Sequence, residues 1–427
     1  MGPIAVHAIS FAITSTMFVL YLFPLHLACF YLLMRPLVEP FSYWKNTFVS
    51  GVPVTGIFAV VLIGSVIYNF LALKRFRLIP RNMAPLYILL VLAGFSILNS
   101  LDQIMSIAHI LKIVTAVALF LLVFNCVRSH DDARKVLRAF VIASILPMLY
   151  GYYQYFTGTG HAHAGAFYVG SRIDSFLYQW NAYGEFLSIE ICAALMLFLQ
   201  EKRRWIKIGL LMAICSMFVS LVLSLNRASW ISLCFAAIIS MAFYIRKMRV
   251  KWIIVGTVVF FFIFGSVFVS RFEELQQRSV YGGQKNTLVQ RAKLWERILP
   301  LIPEHPLIGH GMGTASVVSQ RYLRTDMVPH NDYLRLALEA GIPAALLYIW
   351  FLLYELAANI RRTFNKKSWF INMPMLMAIL YFIVMSFVQN IVYNVAVLPM
   401  FFALMATSRK WNILDVQVEK REFPPVN

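Results

Sequence analysis

Charge is what this sequence has least of. Asp, Glu, Lys and Arg make up 13% of its 427 residues, about half the share of a soluble domain. Acidic residues are the scarcer kind, 19 against 38 basic. With 60% of the chain hydrophobic, a soluble globular fold is excluded. Cysteine is sparse as well: Cys29, Cys126, Cys192, Cys215 and Cys234 all fall within apolar runs. They read as small buried hydrophobes, not as a disulfide framework or a thiolate metal set. No Asp-x-Asp pair stands in an outward loop, so metal-dependent sugar transfer lacks its usual ligands. No internal repeat and no low-complexity segment is present.

What the chain has instead is a succession of apolar runs of about 20 residues, the length that crosses a hydrocarbon core of about 30 Å. They predict spans near 8–33, 48–70, 83–99, 104–127, 136–156, 182–200, 206–225, 227–245, 252–270, 334–356, 373–390 and 392–407. The fold class expected is an all-α polytopic membrane protein with about twelve transmembrane helices. The first run lacks the basic start and cleavage site of a removable signal peptide, and is expected to be retained. The last two runs are parted by a polar break at Gln389, Asn390 and Asn394.

The net charge of +19 is mainly a topology signal. Six connections carry four basic residues each, 24 of the 38: Lys74 to Arg81, Arg128 to Arg138, Lys202 to Lys207, Arg246 to Lys251, Arg361 to Lys367, and Arg409 to Arg421. By the positive-inside rule these face the cytoplasm, and both termini with them. No nucleic-acid partner is therefore needed to explain the charge. The expected organisation is nine spans in 1–270, a large periplasmic, partly helical loop at 271–333, three spans in 334–407 and a cytoplasmic tail at 408–427. Within the loop, Leu288, Arg291, Leu294, Trp295, Ile298 and Leu299 suit one face of a helix lying on the bundle. Pro300, Pro303 and Pro306 then break it.

Fourteen basic residues remain on the other side or within the spans, eight of them in the large loop. Arg227 stands in a turn too tight for a solvated loop, and Arg172 just precedes Asn181 and the next span. A guanidinium fork fits phosphate oxygens bidentately. Several forks at the outer membrane edge suit a lipid-linked diphosphate, and a structural ion pair such as Arg172 with Asp174 is the alternative. His330 opens Pro329-His330-Asn331-Asp332-Tyr333-Leu334-Arg335, where the loop re-enters the membrane. Its imidazole suits a general base on a substrate hydroxyl, or a polar anchor at a helix start. Asn331 or Asp332 suits the cap of that helix. The pair His161 and His163 lacks a third ligand. The run Gly309-His310-Gly311-Met312-Gly313-Thr314 follows no strand, and a tight turn explains it better than a phosphate cradle.

Taken together these residues resemble the O-antigen ligase and polymerase superfamily of bacterial inner-membrane proteins. The likeness runs from about Arg172 to Tyr348. It rests on His305-Pro306-Leu307-Ile308-Gly309-His310-Gly311, on His330, Asn331, Leu334 and Gly341, and on the turn around Arg227, where Asn226 takes the place of a serine. Ala344 stands where a second glycine is common. The resemblance implies a GT-C-like glycosyltransferase architecture in the inner membrane, with the active site facing the periplasm. It implies an undecaprenyl-diphosphate-linked polysaccharide as donor, lipid A-core oligosaccharide as acceptor, and no cofactor, metal or ATP. His330 would be the functional histidine and Arg227 the span-linking arginine.

The chemistry that follows is inversion at the anomeric carbon. His330 takes the acceptor's proton, while Arg172, Arg227, Arg291 and Arg335, with Asn181 and Asn331, hold diphosphate and glycan. Tyr168, Trp180, Tyr183 and Trp295 are candidates for lining the lipid and sugar path. A polymerase or a protein O-oligosaccharyltransferase would use the same donor. A twelve-span transporter is the rival of another class, though a six-plus-six repeat is missing.

Overall fold

The computed structural model describes residues 3–39, 54–74, 76, 83–165, 168–244, 287–325, 327–363 and 368–422. The expected span at 252–270 and the loop basics Arg271, Arg278 and Lys285 lie outside them. The described chain is almost entirely helical. In order come α1 (Pro3–Leu20), α2 (Pro24–Val38), α3 (Val54–Leu71), α4 (Ala84–Phe95), α5 (Gln103–Cys126), α6 (His130–Thr157), α7 (Trp180–Gln200), α8 (Arg204–Leu223) and α9 (Arg227–Tyr244). Then follow α10 (Thr287–Ile298), α11 (Ala315–Val318), α12 (Asp332–Ala340), α13 (Ile342–Thr363), α14 (Trp369–Val388) and α15 (Leu398–Glu422). A two-stranded antiparallel hairpin, His161–Gly165 with Tyr168–Arg172, joins α6 to α7.

Six of these helices, α5, α6, α7, α8, α13 and α14, are long and apolar enough to cross a membrane, and five shorter apolar helices accompany them. The chain is a polytopic membrane protein by that measure. Local chemistry sets several of the boundaries. Asp102 Oδ1 accepts from Met105 N (2.9 Å) at the start of α5. Ser129 Oγ does the same for Asp132 N (3.1 Å) at the start of α6, where Asp131 and Asp132 complement the helix dipole. Helix α7 is central, with 83% of its apolar window buried among α6, α8 and α14. Helix α8 is peripheral, with 22% of its window buried.

Three expected spans take a different form. The run 8–33 is two helices, because Pro24 at the first position of α2 cannot continue α1. The run 334–356 divides at Gly341, whose φ of +90° and ψ of 164° no helix accommodates. The first part, α12, is a separate amphipathic helix and α13 is the apolar one. The last run begins late: Asn390 to Val397 form a short 3-10 turn and a loop. Helix α15 then runs through the expected tail to Glu422, with Trp411 and Leu414 buried. Arg409 is the residue that fixes it, donating from Nε to Glu355 Oε2 of α13 (3.0 Å) within the bundle.

The large loop has a core of its own. Leu294, Ile298, Leu301, Ile302, Ala315 and Val318 bury together against Leu338 of α12. On α10, Leu294 and Ile298 of the expected face are buried and Arg291 and Trp295 part-buried, while Leu299 falls on the following 3-10 turn and is half exposed. The side chain of Leu288 lies outside the described residues.

Candidate functional site

The site is built where α12 meets the loop between α14 and α15. Asn331 caps α12 by accepting at Oδ1 from Leu334 N (3.1 Å). Trp295 Nε1 of α10 donates to Pro329 O (2.5 Å). Between these two anchors His330 is held at φ +48°, a left-handed backbone that His tolerates better than most residues. Asp332, fully buried in the first turn of α12, accepts at Oδ2 from Val392 N (3.1 Å). Burial raises its pKa well above the usual carboxylate range. That contact ties the loop at 390–394 to α12.

His330 lines a cavity of about 420 Å³ with Asn181, Glu185, Gln389, Asn390, Tyr393 and Asn394. Glu39, Lys112 and Arg335 complete its charged lining. Gln389 Oε1 lies 3.2 Å from His330 Nδ1. An amide oxygen only accepts, so Nδ1 carries the proton and Nε2 is left with a lone pair. Burial first, then the charge of Arg291, lower the imidazole pKa to about 4. The ring is neutral at neutral pH, with a nitrogen free to take a proton. Arg291, itself pushed down by burial, donates from Nη1 to Val388 O (2.7 Å), one residue before Gln389.

The charges in the cavity wall are largely satisfied from within. Arg335 Nε donates to Glu339 Oε1 (2.8 Å), and its guanidinium lies 3.6 Å over the Tyr393 ring. Glu339, fully buried, also accepts from Gly313 N (2.7 Å), Ala315 N (2.9 Å) and the Tyr393 hydroxyl. Glu39 faces Arg35 Nη1 at 2.5 Å, and Arg35 Nε donates to Val395 O (3.2 Å). Glu185 accepts from Asn394 Nδ2 (2.6 Å). Arg335, Tyr393, Glu185 and Asn394 are thereby held in place by one another and by Glu339.

The glycine run is a strap across the end of α12. His310 N donates to Leu338 O and Gly311 N to Glu339 O, each at 2.9 Å, and Ile342 N to Pro306 O at 2.8 Å. The first two bonds satisfy carbonyls that the end of α12 leaves open, and the third an amide that the start of α13 leaves open. The approach is so close that a Cβ on Gly309 would sit 2.4 Å from the Glu339 carbonyl carbon. The tight-turn expectation describes this run, and its amides serve Glu339.

The other sequence candidates divide. Asn181 and Arg335 share the cavity with His330, and Arg291 stands behind it. Asn331 serves as a cap. Arg227 opens α9, half-buried, after Leu225 at φ +55°. Its neighbour Asn226 donates from Nδ2 to Asn181 O (3.1 Å), linking that turn to the cavity wall. Arg172 lies 4.9 Å over the Trp180 ring at the end of the hairpin. Tyr183 is buried, with its hydroxyl on Pro147 O, so it lines no path. The side chains of His161, His163 and Tyr168 lie outside the described residues. No cluster of three His, Cys, Asp or Glu that could hold a metal occurs among the described residues. Gln389, Asn390 and Asn394 entered the sequence reading only as a break between spans, and Tyr393 and Glu39 not at all. Polar residues at the lip of an apolar run were the available signal.

Apolar helices around a polar cavity with one neutral, oriented imidazole define a membrane protein with a candidate catalytic centre at one end of its bundle. The sequence model of the family described as O-antigen ligase matches residues 210–349, 140 of the 427 residues. The match supports membership of the O-antigen ligase family and points to a glycosyltransferase-like enzyme. It takes in Arg227, Arg291, His330, Asn331 and Arg335, and stops short of Arg172 and Asn181. No curated protein matches the chain.

Proposed function

We propose that this protein is an O-antigen ligase, transferring a polysaccharide from undecaprenyl diphosphate to a sugar hydroxyl of the lipid A core on the periplasmic side of the inner membrane. The observation that carries the reading is His330, a residue of the family-matched region, neutral in a polar cavity with Nδ1 committed to Gln389 and Nε2 free. Nε2 takes the proton of the acceptor hydroxyl as its oxygen attacks the anomeric carbon. The bond from that carbon to the diphosphate oxygen breaks, and undecaprenyl diphosphate leaves with the electron pair. Arg227, Arg291 and Arg172 hold the diphosphate and offset the charge that grows on it. Arg335, already on Glu339, orients the cavity wall. The anomeric centre inverts. The donor is activated already, so the reaction needs neither ATP nor metal.

The test is transfer in a purified system: polysaccharide-loaded undecaprenyl diphosphate and lipid A-core, with EDTA and no ATP. His330→Ala and His330→Asn are compared with the wild type, since Asn tolerates the left-handed backbone that Ala does not. Conjugate made by wild type and lost in both variants supports the reading. Carrier-linked chains that lengthen without conjugate would make the protein a polymerase. No covalent product from folded protein would favour transport.

A further inference from the structure

Helix α7 has 21 residues, about 30 Å of rise, so Gln200 stands a membrane's thickness from Asn181. At that far end α6, α7 and α8 enclose a second cavity, of about 410 Å³. Arg134, Arg138, Lys202 and Arg203 line it beside Leu197, Ile206 and Leu210, with Glu201 as the lone acid. Glu201 is occupied by its own neighbours, accepting at Oε1 from Lys202 N (2.9 Å) and Arg203 N (2.8 Å). Arg134 is taken by Asp131 (2.8 Å). Arg203 and Arg138 act on Glu201 through their charge, lowering its pKa after the Arg203 N hydrogen bond. Beyond that one acid the cavity lining offers these cations and Lys202 no other carboxylate. Gln200 donates from Nε2 to Met196 O (2.7 Å) and leaves Oε1 buried, without a partner among the described residues.

The flank formed by α8 decides the occupant. It is the least buried of the six candidate spans, and Trp205 is 83% and Ile206 44% exposed. One wall is therefore the exposed apolar flank of a candidate span, with the basic residues at its end. A soluble phosphate would gain from the charge alone; a lipid gains from charge and apolar wall together.

We propose that this cavity binds the headgroup of an anionic glycerophospholipid. The phosphate would be gripped by the Arg138 and Arg203 forks and Lys202, and a headgroup hydroxyl would meet Gln200 Oε1. The acyl chains would start along Leu197, Ile206 and Leu210. The proposal stands apart from the transfer reaction.

The full chain, purified and placed in nanodiscs of equal phosphatidylglycerol and phosphatidylcholine, is analysed for retained lipid by native mass spectrometry. Wild type should retain phosphatidylglycerol preferentially. Arg138→Gln with Arg203→Gln should cut that preference on the order of 30-fold, while Arg138→Lys with Arg203→Lys keeps most of it. Folding is checked in each variant by tryptophan fluorescence. Equal retention by wild type and the Gln pair would overturn the proposal. Displacement of the lipid by soluble glycerol phosphate would overturn it too, and reassign the cavity to a free phosphate ester.

Discussion

His330 is a weak base by virtue of where it sits. Its pKa of about 4 comes from burial and from Arg291, so the neutral, reactive form persists well below the usual histidine range. The acid limb of kcat/KM should lie near pH 4, activity falling as pH drops through that value. Arg291→Gln removes a positive charge beside the ring and should move the limb upward, toward pH 6.5; a limb unmoved by that change would remove Arg291 from the environment of the base. Gln389 acts at one remove, by choosing the tautomer. Gln389→Ala should lower kcat by about tenfold to a hundredfold with the protein folded. Gln389→Glu should restore orientation and raise the limb, since a carboxylate favours the imidazolium. At this scale the sequence was partly legible. His330 and Asn331 announce themselves within seven residues, as a local motif. Gln389 lies 59 residues on, and only the packing of α12 against the loop after α14 brings it to the ring.

At the scale of elements, the end of α12 is the fixed point of the site. Gly341 cannot carry a side chain: besides its φ of +90°, a Cβ there would stand 2.3 Å from Leu307 O. Gly341→Ala should cost at least about 1–3 kcal/mol in backbone strain alone, read as a lower Tm in detergent. Glu339→Gln should be as severe, on the order of 3–5 kcal/mol, because Arg335 would stay buried beside a neutral amide. If Tm held, the strap would not depend on that carboxylate. The amphipathic α10 was readable because its apolar residues recur at 3 and 4. The breaks at Pro24 and Gly341 were also written in the chain, but a long apolar run masks a breaker inside it. The glycine run was readable as a turn and not as a strap, since its partners are main-chain groups of another helix.

For the molecule as a whole, the basic residues Arg134, Arg138, Lys202 and Arg203 and the His330 cavity occupy opposite ends of α7. The positive-inside rule then makes a directional prediction. In intact cells, with the native cysteines replaced, a cysteine at Lys202 should resist a membrane-impermeant maleimide, and one at exposed Arg321 should react. The reverse pattern would turn the protein over and deny the cavity its proposed lipid A-core acceptor. Composition alone gave the membrane class, because so little charge admits no other solvent. It could not divide the apolar runs correctly, since hydropathy averages over the turns that separate helices.

The guanidinium groups around His330 have one more consequence, for the thermodynamics of substrate binding. Burial, and after it the charges of Arg291 and Arg335, hold a proton off the ring. A diphosphate that neutralises the two arginines lifts their part of that restraint and raises the ring's affinity for a proton. Donor binding should therefore draw protons from the medium as pH falls below neutral. The heat of binding would then differ between buffers of unequal ionisation enthalpy, in proportion to the protons taken up, and the difference should vanish in His330→Asn.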